Sequence, residues 1–203
     1  MALQFKKASC VAVGAFNIYI VQPQWLATKE LIPRGMEVII ESKMDEPGFR
    51  FYSAELKHRW IVTPTRIAIE TDDAAENCGE LVAKLLRCLP ETPLVAVGNN
   101  VHYQAAGADA DSLPELPPYP LSEPLPGDEL RQRTFHVAVD RDRCVHNLQL
   151  SVGPPGIELL INAHCPVGDG GTDFAQAHAA RFNEHHQIGV LLARHHLKVE
   201  FNV

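Results

Sequence analysis

The chain is short of positive charge: 18 Lys and Arg stand against 25 Asp and Glu, for a formal charge of −7. The cations are not gathered into one stretch. Nucleic-acid binding needs clustered Lys and Arg to neutralise phosphates, so no nucleic-acid partner is expected. Long apolar runs are missing as well. Nothing approaches the roughly 20 residues of a membrane-crossing helix, and no membrane partner is expected. The apolar run after Lys6 and Lys7 is broken at Asn17 and alternates from Cys10 to Phe16, so it reads as a strand and not as an export signal. CxxC pairs are absent. The five cysteines, Cys10, Cys78, Cys88, Cys144 and Cys165, are odd in number and widely spaced, which reads as reduced thiols of a cytoplasmic protein. GxSxG, the Walker loop, GxGxxG spacing and HExxH are all lacking, and with them the ready-made nucleophile, phosphate, dinucleotide and helical zinc sites.

What the chain does have is clear strand and helix patterning. Arg59 to Asn100 reads as strand, helix and strand. Trp60, Val62, Ile67 and Ile69 flank Pro64, which has no N–H, so a bend is expected at Thr63-Pro64-Thr65. Asp73 followed by Glu76 resembles a capping box and places a helix start near Ala74. Cys78, Leu81, Val82, Leu85, Leu86 and Leu89 form a one-sided stripe at helical spacing. Burying each leucine contributes roughly 1.5–3 kcal/mol, against about 0.3 kcal/mol for the Glu80–Lys84 pair, so packing decides this helix. Pro90 and Pro93 end it. Leu94 to Val97 resumes as a strand, expected to stop at Gly98-Asn99-Asn100.

Ahead of this unit, Gln4 to Val13 and Phe16 to Val21 read as strands and Gln24 to Ala27 as a short helical turn. Met36 to Leu56 reads as a hairpin turning at Asp45-Glu46-Pro47-Gly48, with Val38, Ile39 and Ile40 buried on both faces. Behind it, Ala105 to Leu130 is rich in proline and reads as a connection, with Leu116-Pro117-Pro118-Tyr119-Pro120 as a possible polyproline contact. Gln132 to Val139, Cys144 to Val152 and Ile157 to Cys165 read as a three-stranded meander. Phe174 to His195 recurs at helical spacing, weakened at Gly189, and Leu197 to Val203 closes as a strand. The fold class is therefore α+β: a mostly antiparallel sheet with two main helices packed on it. Two pseudo-repeated halves, 1–106 and 131–203, are joined by the proline-rich connection 107–130.

Four places carry candidate chemistry. Six of the ten histidines, His164, His178, His185, His186, His195 and His196, fall in the last forty residues. His178 and His185 share a helix face and are candidate metal ligands, with Asp169 and Asp173 of the loop GDGGTD as candidate oxygen donors; a solvated or core-edge histidine cluster is the competing reading. The same loop reads as a helix N-terminus capped near Asp173. Cys165 reads as a small buried residue or as a nucleophile. His164 beside it points to the other face of a strand, so a partner would be distant, such as His102 or His146. Asn99, Asn100, His102 and Tyr103, at the expected strand end, are candidate ligand-binding residues, or turn residues bonded to the backbone.

No catalytic constellation stands out, and the reading is a protein-interaction or assembly module without catalytic activity and without a cofactor. A protein partner or self-association as a homo-oligomer is expected, with Trp25 and Trp60 as candidate apolar contacts. The alternative is a metal-dependent or cysteine/histidine hydrolase built on the late histidines. Protonating all ten histidines would take the formal charge from −7 to −7 + 10 = +3, so any association is expected to vary between about pH 5 and 7.

Overall fold

The computed structural model describes residues 2–42, 47–106, 133–153 and 156–202. In chain order the elements are β1 (Ala2–Gly14), α1 (Pro23–Thr28), β2 (Ile39–Glu41), β3 (Phe49–Tyr52), β4 (His58–Val62), β5 (Arg66–Thr71), α2 (Cys78–Arg87), β6 (Leu94–Ala106), β7 (Arg133–Arg141), β8 (Cys144–Gly153), β9 (Gly156–Pro166), α3 (Gly171–Ala180), α4 (Phe182–Leu197) and β10 (Glu200–Phe201). All ten strands belong to one sheet, ordered β2-β3-β4-β5-β1-β6-β9-β8-β7, with β10 attached to β1. The β1–β10 pairing is parallel and every other pairing is antiparallel. The fold is thus α+β, a large antiparallel sheet carrying helices. No helix among the described residues is long and apolar enough to cross a membrane.

Alternation along the central strands sorts the side chains. Cys10 and Ala12 of β1, Val97 and Val101 of β6, and Leu159, Ile161, Ala163 and Cys165 of β9 are buried; α2, α3 and α4 pack over this face. Residues between them point the other way and carry a polar row. Asn147 donates to Asn162 (3.1 Å), Asn162 to Asn100 (2.7 Å) and Asn100 to Ser9 (3.3 Å), four strands linked by side-chain amides.

The predicted helix stripe is the core face of α2: Cys78, Val82, Leu85 and Leu86 are buried, and Leu81 and Leu89 pack at the margin. Its start lies later than Ala74, because Asn77 is the cap and accepts from the N–H groups of Gly79 (3.1 Å) and Glu80 (3.2 Å). Asp73 instead accepts from Ala75 N–H and from Lys57 Nζ. The bend at Pro64 is the tight turn between β4 and β5, closed by Thr63 N–H to Arg66 O at 2.9 Å. The three-stranded meander is present as β7, β8 and β9, turned at Asp142 and Arg143, both at positive φ.

Other expectations are corrected. Phe16 to Val21 forms turns and not a strand, since Asn17 O accepts from Ile20 and Val21 N–H and winds the chain. Only Ile39–Glu41 of the predicted buried strand pairs, at the sheet edge, so its three residues are exposed. Trp60 is fully buried, stacked on Phe51 at 5.6 Å, and offers no contact surface. The single late helix is two, α3 and α4, meeting at Arg181, and the closing strand is reduced to Glu200–Phe201. Asp173 lies inside the first turn of α3 and is not its cap. The proline-rich segment from 107 to 130 and its Leu116 to Pro120 motif lie outside the described residues.

Two glycines set how closely the helices approach. A methyl group on Gly79 of α2 would overlap Ala179 O and Phe182, and one on Gly189 of α4 would overlap Ile161 of β9. Gly189, which weakens the helix pattern in the sequence, is what lets α4 lie on β9. Gly189→Ala should therefore lower stability by roughly 1–3 kcal/mol in urea unfolding despite alanine's better helix propensity. Gly98→Ala, whose nearest neighbour would be 3.8 Å away, should stay within about 0.5 kcal/mol of the parent.

A candidate metal centre of two cysteines and two histidines

The β7–β8 turn sets Cys144 at the start of β8, and the β8–β9 register, with Val145 opposite His164, places Cys144 across from Cys165. Their Cα atoms are 4.2 Å apart and the two are joined as a disulfide. This corrects the expectation of five reduced thiols. Their separation of 21 residues gives no spacing cue; only strand register brings them together. Cys10, Cys78 and Cys88 are free. Burial pushes the Cys78 thiol up to about 12, with Glu76 adding to the effect, so that thiol is unreactive.

Over the two sulfurs stand His178 of α3 and His185 of α4. His178 Nδ1 is 3.2 Å from Cys144 Sγ and 3.2 Å from His185 Nε2, and His185 Nε2 is 3.9 Å from Cys165 Sγ. On one straight helix residues seven apart lie about 10 Å apart along the axis, too far to meet at one point. They meet because the helix kinks at Arg181, whose ψ is 19°. Arg181 is held there by two hydrogen bonds to Glu184, at 2.6 Å each, and lies 3.6 Å from Asp142 of the β7–β8 turn. Asn99 of β6 fixes the other side, donating from Nδ2 to His178 O at 3.2 Å. Phe174, with Arg143 stacked on it, covers the His178 ring at a centroid distance of 4.2 Å.

The donor atoms of Cys144, Cys165, His178 and His185 all lie within 4.8 Å of one another, and all four residues are buried. Sulfur and imidazole nitrogen in a two-plus-two set suit zinc, at bond lengths of about 2.3 and 2.0–2.1 Å; a regular tetrahedron then separates donors by about 3.3 to 3.8 Å. Three of the six donor spacings, 3.2, 3.2 and 3.9 Å, fall close to that range, whereas the two sulfurs, bonded to each other, lie closer than it. Burial keeps the imidazoles in the neutral form that ligates: His185 is pushed down to about 4, first by burial and then by His146 and His178, and His178 is lowered first by burial and then by Arg181. His146 is wholly buried beside His185, with ring centroids 5.4 Å apart. Neither of its ring nitrogens, nor His185 Nδ1, has a hydrogen-bond partner among the described residues.

Of the residues singled out in the sequence, His178 and His185 come together; Asp169 and Asp173 are exposed and stand outside the cluster. Asn99, Asn100, His102 and Tyr103 do not end a strand, because β6 runs on to Ala106. They alternate across the sheet. Asn99 and Tyr103 face the helices, Tyr103 hydrogen-bonded to His186, whereas Asn100 and His102 lie on the opposite face, so the four do not line one site. His102 is therefore no partner for Cys165, while His146 lies one ring away from it, behind His185. Cys144 has no short-spacing cue in the sequence, and only its place opposite Cys165 after a two-residue turn distinguishes it. No protein-family model matches the chain, and no curated protein matches it.

The depressed imidazoles make stability depend on pH. An unfolded His185 would titrate near 6.5 and the folded one near 4, so the unfolded chain gains protons first on acidification. The stability tied to neutral His185 is complete above about pH 6.5 and is lost as pH falls toward about 4. His178 and His146 shift in the same direction. Urea midpoints of metal-free protein should fall across that window, and less steeply in His185→Gln.

Proposed function

We propose that the chain is a non-catalytic scaffold whose second half is held together by a structural zinc ion on Cys144, Cys165, His178 and His185. The observation that carries this reading is the enclosed set of four soft and borderline donors, at most 6% exposed, contributed by two neighbouring strands and two helices. Catalytic zinc keeps one coordination position for water or substrate, whereas structural zinc takes four protein ligands. A site saturated by its own side chains favours holding α3 and α4 on the sheet over the hydrolase alternative. In place of the cofactor-free chain expected from sequence, this reading gives the module a metal.

Reduced protein should take up one zinc per chain by elemental analysis, and cobalt(II) in its place should give the intense absorption of tetrahedral thiolate coordination. Uptake should be lost in His178→Ala and His185→Ala and kept in Asp169→Ala and Asp173→Ala. Chelation should lower the melting temperature of the reduced protein. Reduced, folded protein that binds no zinc or cobalt would remove the proposal.

The assembly role draws on a separate observation. In β2 at the sheet edge, Ile39 and Ile40 are 54% and 49% exposed, and an edge strand offers unpaired backbone groups to a second copy of the chain. Light scattering should show a dimer that Ile39→Lys with Ile40→Lys converts to monomer. A parent that is already monomeric at high concentration would sink this part of the reading.

A further inference from the structure

The sulfur atoms that would hold the metal are the same two that form the disulfide. Tetrahedral zinc needs both as thiolates, about 3.8 Å apart by the bond lengths above, whereas the disulfide bonds them to each other and removes their charge. One chain therefore has two exclusive states of one site. The backbone suits both: a Cα separation of 4.2 Å is close to the roughly 4.5 Å of the narrow pairs in antiparallel sheets, where facing side chains are nearest.

The histidines remain gathered in the disulfide state. His178 Nδ1 and His185 Nε2 stand 3.2 Å apart, and the nitrogens of His146 and His185 Nδ1 have no partner among the described residues. Among the described residues these donors contact only one another and the two sulfurs. Cys144, although buried, directly follows the exposed Arg141 of β7 and the exposed turn residues Asp142 and Arg143, which makes the turn the side nearest to solvent along the chain.

We propose that this cluster is a redox-gated metal site, resting on the zinc reading above, in which a peroxide oxidises Cys144 and Cys165 to the disulfide and expels zinc. One thiolate sulfur attacks a peroxide oxygen, so that an S–O bond forms, the O–O bond breaks and hydroxide leaves. The second thiolate attacks that sulfur; the S–S bond forms, the S–O bond breaks and a second hydroxide leaves. Two electrons pass from the sulfurs to hydrogen peroxide, and zinc leaves as the unchanged divalent ion. The charges balance, since two thiolates and Zn²⁺ become a neutral disulfide, Zn²⁺ and two hydroxides. In the zinc state α3 and α4 are bonded to β8 and β9 through the ion. After oxidation the metal bonds are gone and the ties to the sheet are packing, the hydrogen bonds Asn99 to His178 O and Tyr103 with His186, and the Arg181–Asp142 pair, so the helices loosen on the sheet.

The test uses the full chain carrying Cys88→Ser, which removes the partly exposed free thiol. It is reduced, loaded with zinc and treated with hydrogen peroxide. Released zinc is followed with a chromogenic chelator, and cysteine states are read by peptide mass mapping. One zinc should be released for each Cys144–Cys165 disulfide formed, amide exchange in α3 and α4 should rise in step, and thiol reductant with zinc should reverse both. Zinc that stays bound while peroxide is consumed, or leaves with the two cysteines over-oxidised and unbridged, overturns the gate and leaves the zinc reading standing. Reduced protein that takes up no zinc overturns both.

Discussion

From Ala96 opposite Pro166 to Ala106 opposite Gly156, the ladder between β6 and β9 joins the two halves of the chain into one sheet. Strand side chains alternate with a period of two, so this register decides which residues can meet. Asn99 opposite Ala163 and Val97 opposite Cys165 fall on the helix side; Asn100 opposite Asn162 falls on the other. A slip of one residue would turn Cys165 outward and Asn162 into the core. The cysteine pair, the imidazoles above it and the amide row behind it all depend on this one ladder.

The two faces meet their polar groups differently. On the face away from α2, α3 and α4 the amides of Asn147, Asn162 and Asn100 are joined in a chain that ends on Ser9. On the helix face, polar atoms lie among apolar side chains, and Asn99 Oδ1, His185 Nδ1 and both nitrogens of His146 have no partner among the described residues. A buried polar atom left unpaired costs about 1–3 kcal/mol. His58 and Trp60 Nε1 on β4 are also unpaired among the described residues, but only the atoms of Asn99, His146 and His185 lie beside a further imidazole, His178, and two sulfurs, and that distinguishes this part of the core as a site.

Much of the framework was legible in the sequence because it follows from local patterning. The stripe from Cys78 to Leu89 gave α2 its core face, Pro64 gave the β4–β5 turn, and the alternation from Cys144 to Cys165 gave the meander. Failures came where tertiary context overrules local preference. Val38 to Ile40 looks like a buried strand but lies at an edge, and Gly98 to Asn100 looks like a stop but sits inside a long central strand. The site was half visible. His178 and His185 stand out by type, but their meeting requires a kink at Arg181 that rests on Glu184 and Asp142. The sulfurs lie on different strands, so no short spacing announces them.

Acid behaviour shows how burial rewrites a count made from composition. Ten histidines suggest a charge swing of ten, yet His58, His102, His146, His178, His185 and His186 are all held below their ordinary range, chiefly by burial. The swing near neutrality is correspondingly smaller than ten, and acid acts instead on the fold, where uptake of protons by the unfolded chain draws the equilibrium away from the native state. The same burial that withholds protons from His178 and His185 leaves their lone pairs free for a metal. A cluster of neutral imidazoles that resists acid is therefore better matched to coordination than to sensing pH through surface charge.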